Sequence, residues 1–196
     1  RLSGHWEFSS GCDASAWIML GGDRPDGRVW LLVPRSDYEI VDTWFVSGLR
    51  GTGSKDIIVK DAFVPHHRVM DMGKAGDGDW TGWEMHRHAR YRMPITVLLG
   101  WDLVAPIIGI AQGMIEEFTT RFIGTSGPGR TAQSEAVQLR LSQASAEVDA
   151  ARALLRNDIR EIFETAEGSE TFSALERARY RRDKAFVTQL CLGAVN

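Results

Sequence analysis

The hydrophobic period changes once along this chain, and that switch limits what it can fold into. Up to about residue 70, apolar side chains come in short runs of strand character. Trp6 and Phe8 alternate with Glu7 and Ser9, residues 16–20 form an apolar run closed by Gly21-Gly22, and residues 29–33 form another stopped by Pro34. Arg24-Pro25-Asp26-Gly27 has turn composition, and residues 38–44 and 56–64 supply two more strands. Strands at this spacing predict an antiparallel sandwich or barrel.

From about residue 95 the period is helical. A first helix is expected over 95–124, kinked at Pro106, with Gly109 and Gly113 four apart on a face another helix can approach closely. Gly124, Gly127, Pro128 and Gly129 end it. In the second helix, Val137, Leu141, Ala144, Val148, Ala151 and Leu155 follow 4-3-4-3-4 spacing, the seam of a bundle. A third starts near Ser169, an N-cap followed by Glu170. The expected division is a β domain over 1–70, a connecting loop over 71–94 and an incomplete helical bundle over 95–196. The chain opens on Arg1 inside what reads as a strand and closes on Asn196 with no helix stop, as an internal piece of a longer protein would.

A formal net charge of −3 supplies no general attraction for nucleic acid or an anionic membrane. Cys12 and Cys191 form neither a disulfide framework nor a metal motif, so a reducing, cytoplasmic location is expected. The longest apolar stretch, 103–115, is shorter than the ~20 residues of a membrane helix. His66, His67, His86 and His88 lack further ligands with metal-site spacing, so no metal is expected. The arginines at 177, 179, 181 and 182 alternate with Glu176 and Asp183 as on a solvated helix face.

Two segments stand out. Residues 4–13 place Ser9, Ser10 and Gly11 directly after an aromatic strand, where a flat ligand can lie against backbone and hydroxyls; from composition alone an ordinary strand end with a Ser-Gly turn is the better account. Residues 42–56 hold glycines and hydroxyls that suit either a ligand cradle or a turn-rich hairpin.

Together, in this order, they resemble the acyl-CoA dehydrogenase superfamily, specifically its flavin-dependent monooxygenases, the oxygenase components of two-component aromatic hydroxylases. The matching segments are Trp6-Glu7-Phe8-Ser9-Ser10-Gly11, Asp42-Thr43-Trp44, Ser47-Gly48-Leu49-Arg50-Gly51-Thr52-Gly53-Ser54 and Asp61-Ala62-Phe63-Val64-Pro65. Residues 136–152 resemble the family's second bundle helix. The resemblance implies an α+β, acyl-CoA dehydrogenase-like fold: an antiparallel β domain followed by a C-terminal helical bundle, with an N-terminal helical domain and a last helix outside this chain.

The resemblance further implies hydroxylation of an aromatic, phenolic substrate through a C4a-hydroperoxyflavin. Reduced flavin (FMN or FAD) would come from a separate reductase, O2 would be co-substrate, and the enzyme would be a homotetramer. Ser10 falls where the family bonds flavin N5 and protects the oxidant, with Phe8 against the isoalloxazine and Trp44 and Ser54 closing the cofactor's side. Arg121 falls where the family holds the cofactor phosphate, although a solvent-facing helix-end cation explains it equally. Tyr91 and Arg92 stand where they line the substrate pocket or pack at the core edge. No histidine matches a catalytic base. Two rivals remain: an acyl-CoA dehydrogenase oxidising an acyl thioester with FAD, and a non-catalytic oligomeric fragment.

Overall fold

The structure is a computed structural model that describes all residues except Thr81, 126–133 and 169–170, and the side chains of 123–125. It divides into a β unit, Arg1–Gly76, and a helical unit, Asp77–Asn196. The second half of the expected first-helix stop (Gly127, Pro128, Gly129) and the Ser169-Glu170 cap lie outside the described residues.

The β unit holds two three-stranded antiparallel sheets. One runs β1 (Leu2–Ser9), β5 (Lys55–Ala62), β4 (Glu39–Val41); the other runs β2 (Trp17–Arg24), β3 (Gly27–Pro34), β6 (Val69–Asp71). Leu2, Leu20, Val29, Val33, Ile57 and Val59 from both sheets share one core. The β2–β3 hairpin pairs Trp17 with Pro34 through to Arg24 with Gly27, leaving Pro25-Asp26 as the turn. Gly21-Gly22 does not close β2: the strand continues to Arg24, and the Gly21 carbonyl accepts the Trp6 indole N–H at 2.7 Å. The strand expected over 38–44 pairs only at Glu39–Val41. Beyond it Asp42 and Thr43 turn to Lys55 and Asp56, and the chain leaves the ladder.

The expected loop over 71–94 is instead a run of short elements: α1 (Met72–Asp77), α2 (Gly82–His86) and a 3-10 turn at Ala89–Arg92. Asp71 Oδ1 accepts the first N–H groups of α1 from Gly73 and Lys74. Arg87 and Arg92 lie over the Trp83 ring, and the Trp80 indole donates to the Met93 carbonyl at 2.8 Å. None of these elements completes two full helical turns, so no period was there to read.

The rest of the helical unit is α3 (Ile95–Leu98), α4 (Trp101–Thr125), α5 (Glu135–Glu167) and α6 (Ala174–Val195). The expected first helix is therefore split, and the split is at Gly100, not Pro106. Gly100 has φ +100°, which glycine alone adopts without strain, whereas α4 runs on through Pro106. The Lys184 ammonium of α6 donates to the carbonyls of Thr96, Val97 and Leu99 at 3.2, 2.9 and 2.6 Å, capping the end of α3.

Val104, Ile108 and Ala111 of α4 meet Ala144, Val148 and Ala151 of α5 and Val187 and Cys191 of α6 in one core. The seam continues past Leu155 through Asp158 and Ile162. α6 begins at Ala174 behind a reciprocal cap, Ser173 with Glu176, five residues after Ser169. Residues Ile95–Phe122 are, by length and composition, apolar enough to cross a membrane, with an 18-residue window of mean hydropathy 1.7.

Candidate functional site

β1 ends irregularly. Its register against β5 shifts between Trp6 and Ser9, and Phe8 takes φ +60°, in the left-handed region that a bulky residue rarely enters. This breaks the alternation expected over residues 6–10 and leaves the Phe8 ring exposed. The ring meets Trp44 edge to face, with centroids 6.1 Å apart.

Two residues after Phe8 begins a line of hydroxyls. Ser10 Oγ lies 2.7 Å from Ser54 Oγ, which lies 2.6 Å from Thr52 Oγ1. Thr52 Oγ1 donates to the Leu49 carbonyl at 2.9 Å. The same carbonyl accepts the Trp44 indole N–H at 3.1 Å, so the aromatic wall and the hydroxyl line share one anchor. Ser54 is buried, whereas Ser10 opens to solvent.

Further contacts hold the two loops in place. The Gly11 N–H donates to the Thr52 carbonyl at 2.9 Å. Lys55 Nζ bridges Asp13 at 3.1 Å and Asp42 at 3.4 Å, and the hydrogen bond to Asp13 raises its pKa. Thr43 Oγ1 donates to Asp56 Oδ1 at 2.8 Å, and His5 Nε2 lies 2.7 Å from Oδ2. The Thr43 hydroxyl, and after it His5, holds the Asp56 carboxyl below its ordinary pKa. That carboxylate holds the side chain of the residue directly before Trp44.

Phe8, Ser10, Trp44 and Ser54 are thus brought together within the β unit. The other candidates belong to the helical unit. Tyr91 stacks on His86 with ring centroids 5.1 Å apart and lines an apolar cavity of about 610 Å³ with Trp80, Met93, Leu98 and Trp101, edged by Arg90 and Asp102. Arg92 does not line that cavity; its guanidinium covers Trp83. Arg121 is exposed on the last turns of α4 and pairs with Glu117 one turn earlier.

Thr52, Thr43, Lys55 and Asp56 carry the site's geometry, and sequence reasoning assigned them no individual role. Their types were visible as polar residues in a glycine-rich loop. Their pairings were not, because the Ser10–Ser54 contact joins positions 44 apart in sequence.

The family model for the acyl-CoA dehydrogenase C-terminal domain matches residues 102–196. The flavin-dependent monooxygenase oxygenase subunit HsaA of Mycobacterium tuberculosis is 35% identical over 205 residues, covering 100% of this chain and 52% of the relative. The oxygenase component of an FADH(2)-dependent resorcinol hydroxylase from Rhizobium sp. is 34% identical over 213 residues, with the same two coverages. The crystal structure of 3-HSA hydroxylase from Rhodococcus sp. RHA1 superposes with a TM-score of 0.89 at 33% identity, over 98% of this chain and 52% of that one. The chain spans about half the length of these relatives. This chain has an acyl-CoA dehydrogenase-like fold, and over its whole length it is similar to the oxygenase components of flavin-dependent monooxygenases.

Proposed function

We propose that this chain is part of the oxygenase component of a two-component monooxygenase that hydroxylates an aromatic, phenolic substrate through a C4a-hydroperoxyflavin. The observation that carries this reading is the convergence of Phe8, Trp44, Ser10 and Ser54 at one end of the β unit. The donor set fits a flavin: exposed aromatic surface for a flat ring, uncharged hydroxyls for its polar edge, and a strained Phe8 backbone of the kind that clusters at ligand sites. Reduced flavin, FMN or FAD, supplies the electrons and the activation of O2 when bound.

The residues of this chain do the rest. Phe8 and Trp44 shield the ring face from water, and Ser10 holds a hydrogen bond at N5. Ser54 buttresses Ser10 from the buried side. Arg121 serves the cofactor's phosphate, and Tyr91, which lines the apolar cavity, serves the aromatic substrate. The relatives' names support this assignment, since "oxygenase subunit" and "oxygenase component" imply a separate reductase and resorcinol is a phenol. The exposed face of α4 supports assembly as a homotetramer.

Anaerobic titration of the native protein with reduced flavin tests the cofactor, and Ser10→Ala tests the site. Losing one hydrogen bond of about 1–3 kcal/mol should divert turnover from hydroxylated product to hydrogen peroxide, with flavin still bound. Unchanged coupling of flavin oxidation to product formation would remove Ser10 from the site.

A further inference from the structure

The hydroxyl line behind Ser10 has a direction. Three oxygen–oxygen contacts join four atoms: Ser10 Oγ to Ser54 Oγ at 2.7 Å, Ser54 Oγ to Thr52 Oγ1 at 2.6 Å, and Thr52 Oγ1 to the Leu49 carbonyl at 2.9 Å. Two oxygens this close repel unless a hydrogen lies between them, so each contact needs one. The carbonyl brings none. The three hydroxyl hydrogens must therefore fill the three contacts, and only one arrangement does so. Thr52 donates to Leu49, Ser54 donates to Thr52, and Ser10 donates to Ser54. Ser10 is left with lone pairs alone on its open side.

We infer that Ser54 and Thr52 are positioning residues that fix the Ser10 hydroxyl as a hydrogen-bond acceptor, so that the site selects a ligand presenting an N–H. This rests on the flavin reading above, and within it the consequence is specific. Reduced flavin carries a hydrogen on N5 and donates to Ser10; oxidised flavin carries a lone pair there, which meets another lone pair. The β unit thereby prefers the reduced form without any charged group at N5. The surroundings hold the arrangement in place. Ser54 is buried away from competing water, and the Gly11 N–H bond to the Thr52 carbonyl keeps the two loops in register.

The test is a pair of affinities rather than turnover. Reduced and oxidised FMN and FAD are titrated anaerobically into the native protein that carries this chain, and the two-electron potential of the bound flavin is measured. The wild type should bind the reduced form at least about tenfold more tightly, which raises the bound potential by about 30 mV or more over free flavin. Thr52→Val keeps the shape but removes the link to Leu49. The Ser10–Ser54 contact can then be filled from either side, Ser10 can turn its hydrogen outward, and the preference should fall by about tenfold. Thr52→Ser restores the hydroxyl and should restore the preference, which a merely structural role at residue 52 would not require. Ser54→Ala reads the same quantity by a second route if Thr52→Val folds poorly.

A wild type that binds both forms equally, or a preference that survives both Thr52→Val and Ser54→Ala, overturns the relay and leaves the flavin site standing. A wild type that binds neither form overturns the flavin reading and the relay with it.

Discussion

Asp158 of α5 and Asp183 of α6 are both buried inside the helical unit, 1% and 2% exposed, close enough for their charges to interact, and Asp158 Oδ2 has no hydrogen-bond partner among the described residues. Burial first, then the negative charge of Asp183, pushes the Asp158 carboxyl up to about 6 against an opposing pull from Arg179. Glu161 lies beside it on α5, Arg182 donates to Asp183 at 2.7 Å, and Lys184 also lies within electrostatic range. A carboxyl whose folded pKa is raised adds stability that is complete below its ordinary value of 3.8 and is lost as pH rises through about 6. The helical unit should therefore weaken as pH rises from about 4 past 6. Asp158→Asn should remove that slope and add on the order of 2 kcal/mol above it. Urea unfolding at several pH values reads both effects, and an unchanged slope in the variant would exclude Asp158 as the source.

Lys184 ties α6 to the end of α3 through three backbone carbonyls. Lys184→Met keeps much of the stem but leaves those carbonyls without their cation. The expected loss is about 2 kcal/mol, the scale of hydrogen bonds to a charged group, visible as a lower denaturant midpoint. A midpoint within error of wild type would make the cap energetically idle.

For Arg121 the measurement is the ratio of affinities for FMN and riboflavin. If its guanidinium holds the cofactor phosphate, Arg121→Ala should cost FMN about 1.5–3 kcal/mol and riboflavin little. If Arg121 only pairs with Glu117, the ratio stays put and stability falls by a few tenths of a kcal/mol. Arg130 lies outside the described residues, and Arg130→Ala is the control.

Leu103, Ile110 and Met114 of α4 are 72%, 63% and 49% exposed, and a methyl group added at Gly109 or Gly113 would meet nothing within 4 Å. A tetramer built on this face predicts sedimentation at four times the protomer mass at micromolar concentration. Ile110→Glu should shift it to a smaller species. A wild-type monomer under those conditions would dismiss the face as an interface.

The two-part architecture was legible because both periods are strong. Ala144, Val148 and Ala151 stand buried in the α5 seam that spacing assigned them. What escaped notice depends on partners distant in sequence. Asp158 continues the same seam, three residues after Leu155, yet only its meeting with α6 shows it to be buried. Ser173 and Glu176 have the spacing of a capping box, but Ser169, directly after Gly168, offered a competing start. At the site, the residue types of the two loops suited ordinary turns as well as ligand binding, and only the family resemblance favoured the latter. The order of their hydrogen bonds depended on how β1 and β5 pair.

If Phe8 faces the flavin as proposed, it is where stability and ligand binding pull apart in this protein. A bulky residue in the left-handed region costs about 1–2 kcal/mol that glycine would not. A library screened for heat resistance alone should thus enrich Phe8→Gly, and the enriched clones would lose the ring that meets Trp44. Engineering this scaffold for durability needs a flavin-retention screen beside the thermal one, because the two criteria will rank the same substitution in opposite order.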